Sequence, residues 1–411
     1  MSKNFLRIHP IDNILAALQD MKKDFVVEFE GKSFPLKNNV SAKHKFALQE
    51  FKVGDPILMY GALIGKATKP IAQGESITID NVVHASADYN VGEQQSHWVA
   101  PDISKWKNST FNGYHRADGT VGTANHWLVI PMVFCENRNV NVLRSTLLSA
   151  LGYETAKDYI IDTEVLVSQY KKGASAEEMM ASPLIKTAED IKQNRTFPNV
   201  DGIKFLTHDG GCGCDRGDSD ALCNLLAGYI TNPNVAGATI LSLGCQNAEV
   251  KILEAAIAKR DPNFSKPLHI LEQQKSKSER HFIEEAVKKT FLGLIEANKV
   301  TRQPSPLSKL VLGLECGGSD GFSGISANPA LGYASDLIVA LGGATVLSEF
   351  PELNGVEQEL INRCEAPENA EKFASIMRAY SAKAVSIGSG FENNPSPGNI
   401  KDGLITDAMK S

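Results

Sequence analysis

Long apolar runs are missing from this 411-residue chain. The densest, Trp127 to Cys135, falls far short of the ~18–20 residues that a membrane-spanning helix needs, so no membrane partner is expected. The opening residues, Met1-Ser2-Lys3-Asn4-Phe5-Leu6-Arg7, lack the apolar centre of a secretion signal, and a cytoplasmic location is expected. Cysteine is scarce. Seven residues, an odd number spread thinly, do not build a disulfide framework. An excess of basic residues is also missing: 42 Lys and Arg face 48 Asp and Glu, for a net charge of −6. That balance excludes the basic stripe of a nucleic-acid binder, while one local cationic cluster still suffices for an acidic small molecule. Apolar residues at 42% and charged residues at 22% exclude wholesale disorder. At ~150 residues per domain the length suggests two or three domains.

The first ninety residues carry short β-type runs, Phe25 to Phe29 and Ser76 to Ile79, punctuated by Gly31, Gly54, Gly61, Gly65 and Gly74. This pattern predicts a small β-domain with tight corners over residues 1–88. From Ala85 to Ser109 the sequence turns polar, and residues 89–110 read as a linker. Beyond it, strand-like runs at Ala238–Leu243 and Lys309–Leu314 alternate with helical spacing at Phe282, Ile283, Ala286, Val287, Phe291 and Leu294. The alternation predicts an α/β fold with a mostly parallel sheet, divided into residues 111–260 and 261–411. The Ala384-Val385-Ser386-Ile387 run reads as a further strand. After the rigid turn Asn394-Pro395-Ser396-Pro397-Gly398-Asn399 only a dozen residues follow, so the last domain reads as shortened, with an open sheet edge.

Three cysteine-bearing turns follow strand-like runs: His208-Asp209-Gly210-Gly211-Cys212, Leu243-Gly244-Cys245 and Glu315-Cys316-Gly317-Gly318-Ser319-Asp320. In open α/β sheets ligands gather outside the carboxyl ends of the strands. Three thiolates, Cys212, Cys245 and Cys316, suit an iron or iron–sulfur centre with one open position. The plainer reading is three small buried residues beside turn glycines. Cys135, Cys223 and Cys364 stand in apolar or helical contexts and read as structural. The amides of Gly317, Gly318, Ser319 and Gly321, with Ser323, form a candidate carboxylate cradle. Asp320 is either a ligand or a helix cap, and Glu349 either a ligand or a surface charge. In Lys43-His44-Lys45 an imidazole sits between two ammonium groups, a neighbourhood that favours a neutral base. A solvated charged turn is the plainer alternative.

The run Glu315 to Pro329 closely resembles the signature of the altronate/galactarate dehydratases. Ile8–Asn13, His44–Leu48 and Tyr60–Gly65 resemble that family's N-terminal SAF-type β-clip domain, and Arg116–Thr123 the entry to its second domain. His208, Gly211 and Cys212 fit H-x-x-G-C, Leu243–Cys245 fits L-G-C, and Asn394–Asn399 fits N-P-S-P-G-N. The details are closer to altronate than to galactarate enzymes. One departure is Gly210-Gly211-Cys212-Gly213-Cys214, where relatives carry a bulkier turn and one cysteine.

The resemblance implies a hydro-lyase that converts D-altronate to 2-keto-3-deoxy-D-gluconate in hexuronate catabolism. It also implies an iron requirement, with Mn²⁺ as a substitute, a dimerising second domain and a Rossmann-like last domain. The expected protein is a homodimer whose partner is a small-molecule sugar acid. The expected roles are His44, Lys45 and His208 in catalysis and the 317–323 glycine loop on the carboxylate. The metal ligands would come from Cys212, Cys245, Cys316, Asp320 and Glu349. Because His44 and Lys45 lie in the N-terminal β-domain, apart from the other motifs, they are expected to swing to the site across the linker. Other readings of the resemblance are a galactarate or sulfonated hydroxy-acid enzyme and a non-catalytic sugar-acid binder.

Overall fold

The computed structural model describes residues 4–92, 98–154, 159–187, 195–213, 215–315, 317 and 321–406. The fold is mixed α/β and divides into two compact units: Met1–Asn108 with Leu307–Ser411, and Ser109–Pro306.

The first unit begins with short antiparallel strands. Phe5–Leu6, Ile14–Ala17, Lys45–Ala47 and Ser76–Ile77 form one sheet in that spatial order. Pro56–Met59, Ala62–Ala67 and Val82–His84 form a second, and Val26–Phe29 pairs with Lys32–Pro35. Successive side chains of a strand point to opposite faces, and Ile14–Ala17 is buried on both. Ile14 and Ala16 join Ile57, Ile64 and Ile77, while Leu15 and Ala17 join Val27 and Phe46. Two corners use the same device. Glu30-Gly31 and Tyr60-Gly61 both hold two positive φ angles, which gives a two-residue hairpin the twist its strands need. The buried Asp12 carboxylate accepts from the N–H groups of His9, Tyr60 and Gly61 at 2.9, 3.2 and 2.9 Å and fixes the second corner.

Ile325, Val356 and Ile405, from the far end of the chain, pack against the first of these cores. Around them lies one β-α-β turn: the parallel strands Val311–Leu314 and Ala344–Leu347 joined through the helix Ala327–Ala340. The Ala384–Ile387 run is not a strand. It ends the helix Pro367–Ser386, whose Ala370, Ala374 and Met377 recur at helical spacing on the buried side, and this period overrides the local β-branched residues. The polar stretch after Ala85 is not a free linker either. Tyr89 and Val91 pack on Ile361, Ala370 and Ala374, and Asn90 exchanges hydrogen bonds with Gln358 at 2.9 and 3.2 Å.

The second unit is built on a four-stranded parallel sheet in the order Gly202–Phe205, His126–Pro131, Val235–Ser242, Leu268–Glu272. Every residue of Val235–Ser242 is buried, as a central strand covered on both faces requires. Asn137–Ala150 and Glu279–Ala297 cover one face, with Trp127, Leu143, Phe282 and Leu294 in the core. Arg216–Thr231 and Val250–Arg260 cover the other, with Ile130, Cys223, Ile240 and Leu253. Because Leu268–Glu272 and Glu279–Ala297 complete this sheet, the unit runs to Pro306 rather than closing at residue 260.

Candidate functional site

Lys45 occupies the middle of the first unit's sheet, paired with Ala16 on one side and Ile77 on the other. That register turns its side chain inward, and only 1% of its surface remains exposed. Its Nζ donates to the carbonyl oxygen of Gly403 at 2.5 Å. Burial pushes the Lys45 pKa down from 10.5 to about 8. The cause is loss of water around the ammonium, not the flanking charges that the sequence suggested. Both ring nitrogens of the neighbouring His44 face carbonyl oxygens, Nδ1 that of Ala42 and Nε2 that of Lys401, each at 3.1 Å. His9, by contrast, lies against the Gly61 corner.

The two residues line a cavity of about 340 Å³ closed by Ile77, Pro397, Ile400 and Ile405. The glycine loop reaches the same place. A Cβ on Gly321 would stand 3.0 Å from Lys43 Cβ and 3.3 Å from the Asp402 carbonyl. Lys43 in turn pairs with Asp402 at 3.1 Å and lies over the Phe322 ring. Lys45 and Gly321 therefore belong to one compact unit. Gly317 is exposed, Gly321 is buried, and Ser323 is half-buried with its carbonyl accepting from Asn328 N–H at 2.8 Å. Gly318, Ser319, Cys316 and Asp320 lie outside the described residues. Glu349 is exposed in a left-handed turn (φ 58°) at the start of the short helix Phe350–Leu353.

In the second unit, the sequence-derived residues gather at the carboxyl edge of the parallel sheet. His208 follows Gly202–Phe205, and its Nε2–H donates to Pro131 O at 2.8 Å while Nδ1 accepts from Gly210 N–H at 3.2 Å. Both ring nitrogens are thus spent on holding the loop. In this arrangement His208 holds the loop that carries Cys212. Cys212 and Cys245 are exposed on adjoining turns, linked where Asn247 N–H donates to Cys212 O at 3.1 Å. Among the described residues no three His, Cys, Asp or Glu side chains come close enough to share one metal ion.

Two features escaped the sequence. Cys135 is exposed rather than structural. Lys266 also has its pKa pushed to about 8 by burial. Its Nζ donates to the carbonyls of Ile230, Thr231 and Asn232 at 3.3, 3.0 and 2.7 Å, so it caps the C-terminus of a helix. A lowered lysine pKa alone does not mark a base. Lys45 differs in lining a cavity.

Three family models of altronate and galactarate dehydratase domains match the chain. They are the altronate/galactarate dehydratase SAF domain over residues 3–85, the D-galactarate dehydratase/altronate hydrolase second domain over 113–298, and the D-galactarate/altronate dehydratase C-terminal domain over 307–411. Altronate dehydratase of Bacillus subtilis (strain 168) is 32% identical over 410 residues, covering 100% of this chain and 72% of the relative. Altronate dehydratase of Escherichia coli (strain K12) is 27% identical over 411 residues, covering 99% and 72%. Galactarate dehydratase (L-threo-forming) of the same organism is 27% identical over 417 residues, covering 99% and 71%. The chain belongs to the altronate/galactarate dehydratase family.

Proposed function

We propose that this protein is a hydro-lyase that converts D-altronate to 2-keto-3-deoxy-D-gluconate. The observation that carries the reading is the buried Lys45 amine, lining a cavity beside the glycine loop of the family signature. Dehydration of a sugar acid starts with the loss of a weakly acidic proton at C2, beside the carboxylate. The base must lose its proton readily, and burial that lowers the Lys45 pKa to about 8 gives it a far larger neutral fraction near neutrality than an ordinary lysine has. Lys45 takes the C2 proton, and the carboxylate rests on the amides of the 317–321 loop, which stabilise the charge that develops on it. The C3 hydroxyl leaves as water, taking its proton back from the Lys45 ammonium, and the resulting enol takes a solvent proton at C3 to give the ketone. His44, hydrogen-bonded on both sides, fixes the strand end that carries Lys45.

The family implies iron, and in this reading the thiolates of Cys212 and Cys245 are its candidate donors. When bound, iron supplies a Lewis acid for the departing hydroxyl, and Mn²⁺ is the substitute. The β-α-β module is read as part of a Rossmann-like domain. Exposed apolar side chains on the hairpin Tyr159–Ile161 and Ile185–Thr187, namely Tyr159, Ile161 and Ile185, support a homodimer. Among the described residues no helix is long and apolar enough to cross a membrane, and a cytoplasmic enzyme of hexuronate catabolism follows from the reading.

The test is an anaerobic assay of the whole chain with ferrous iron and a panel of aldonates and aldarates, reading 2-keto acid. Turnover of altronate above galactarate is expected. No keto acid from any substrate ends the reading.

A further inference from the structure

A base that takes the proton from C2 stands, by that act, within reach of C2. Once water has left and the enol has become a ketone, the same carbon is an electrophilic carbonyl carbon. The Lys45 amine has by then returned its proton to the departing hydroxyl and is neutral again. A neutral amine beside a ketone can form an imine, and desolvation in an apolar pocket is one way a lysine is activated for that step. The surroundings of Lys45 meet these needs. Its strand is held between Ala16 and Ile77, so the backbone beneath the amine is fixed. The cavity that it lines, about 340 Å³, is of small-molecule size. Ile77, Pro397, Ile400 and Ile405 give that cavity apolar walls, which exclude the water that would return an imine to the ketone. Lys401, a further lining residue, is exposed and brings an ammonium for a carboxylate. Lys266 is the contrast. Burial lowers its pKa to the same value, but its ammonium donates to three helix-end carbonyls.

We propose that Lys45 is also a nucleophile, whose amine condenses with C2 of a small 2-keto acid held in this cavity. The inference rests on the dehydratase reading, which makes the 2-keto acid product the natural ligand. The Nζ–C2 bond forms as the ketone oxygen takes one proton of the amine. The C2–O bond then breaks, and that oxygen leaves as water with the second amine proton. Nothing is oxidised or reduced, and no other reactant is consumed. The imine is reversible, and while it lasts the amine cannot act as a base. Accumulated product therefore restrains turnover by occupying Lys45, and other small 2-keto acids do the same.

The experiment is reductive trapping of the full chain with pyruvate or 2-keto-3-deoxy-D-gluconate and cyanoborohydride, which adds hydride to the imine and makes it permanent. Intact mass and peptide mapping then locate the adduct. With pyruvate, the expected product is one chain heavier by one pyruvic acid less one oxygen atom, with the addition on Lys45. The Lys266 peptide of the same digest should stay at the background of protein treated without keto acid. Lys45→Met should take up no adduct above that background, and its thermal melt shows whether it is folded. If that variant does not fold, the map of the native chain decides alone. An unmodified Lys45, or an adduct spread evenly over the exposed lysines or equal on Lys266, overturns the proposal. An adduct on Lys45 in a chain that dehydrates no sugar acid supports the nucleophile while the dehydratase reading fails. Turnover of altronate with Lys45 unmodified after trapping does the reverse.

Discussion

The amine of Lys45 and the carbonyl of Gly403 meet at 2.5 Å inside the first unit, joining the strand Lys45–Ala47 to a turn near the end of the described chain. A carbonyl can hold an ammonium proton but cannot neutralise its charge, so burial alone sets the balance and the proton is loosely held.

Replacing Lys45 by Met removes the amine while keeping a side chain of similar length. Turnover should fall by about 10²–10⁴-fold, the usual worth of a positioned base. In the native protein the rate should rise with pH as an amine near 8 loses its proton. Lys266→Met supplies the control, since Lys266 caps a helix and should change stability rather than rate. A Lys45→Met enzyme at the native rate would move the base elsewhere.

The same amine should shape stability. Its pKa falls from 10.5 unfolded to about 8 folded, so between these values the unfolded chain binds more protons. Stability from this group therefore rises with pH across the window from about 8 to 10.5. The full change is on the order of 3 kcal/mol. Denaturant midpoints of the native protein and Lys45→Met, taken on both sides of that window, should differ most at the lower pH and converge at the higher.

Gly403 holds φ 96°, and a Cβ there would stand 3.2 Å from the Lys43 carbonyl oxygen. Gly403→Ala should cost about 1–3 kcal/mol through backbone strain. It should also shift the apparent pKa of the rate, because the carbonyl facing Lys45 moves. Thermal melting and a pH–rate profile on one preparation would show both effects.

In the second unit the indole N–H of Trp127 donates to Thr239 Oγ1 at 3.1 Å, and Thr239 Oγ1 pairs with Thr290 Oγ1 at 2.8 Å. Gly293 faces that ring, and a Cβ would stand 2.0 Å from it. Gly293→Ala should lower stability by at least ~1–3 kcal/mol through overpacking. An unchanged melting temperature would mean that the core has slack which the packed side chains do not suggest.

What the sequence made legible followed from local rules. Gly31 and Gly61 announced tight corners, and the run Ala238 to Leu243 announced a buried strand, which the structure extends to Val235–Ser242. Pairings across long separations were not legible. Nothing near Lys45 indicates that Gly403 will face it or that Gly321 will lie against Lys43, because those contacts depend on how distant segments pack. Cys135 was misjudged for a related reason. Its apolar neighbours Met132 and Val133 are buried, but the chain turns into a short helix at Phe134–Glu136, and the thiol comes out at the surface. Tyr89 and Val91 were missed because two apolar residues in a polar stretch carry no period, although they find a core to join.

The most direct test of the central claim is proton NMR of D-altronate turnover in deuterium oxide, with iron-loaded native protein and Lys45→Met in parallel. The native enzyme should release 2-keto-3-deoxy-D-gluconate carrying one deuterium at C3, at a rate that rises as an amine near 8 deprotonates, while Lys45→Met gives no product signal on the same timescale. Equal rates of labelled product from both proteins would contradict the account.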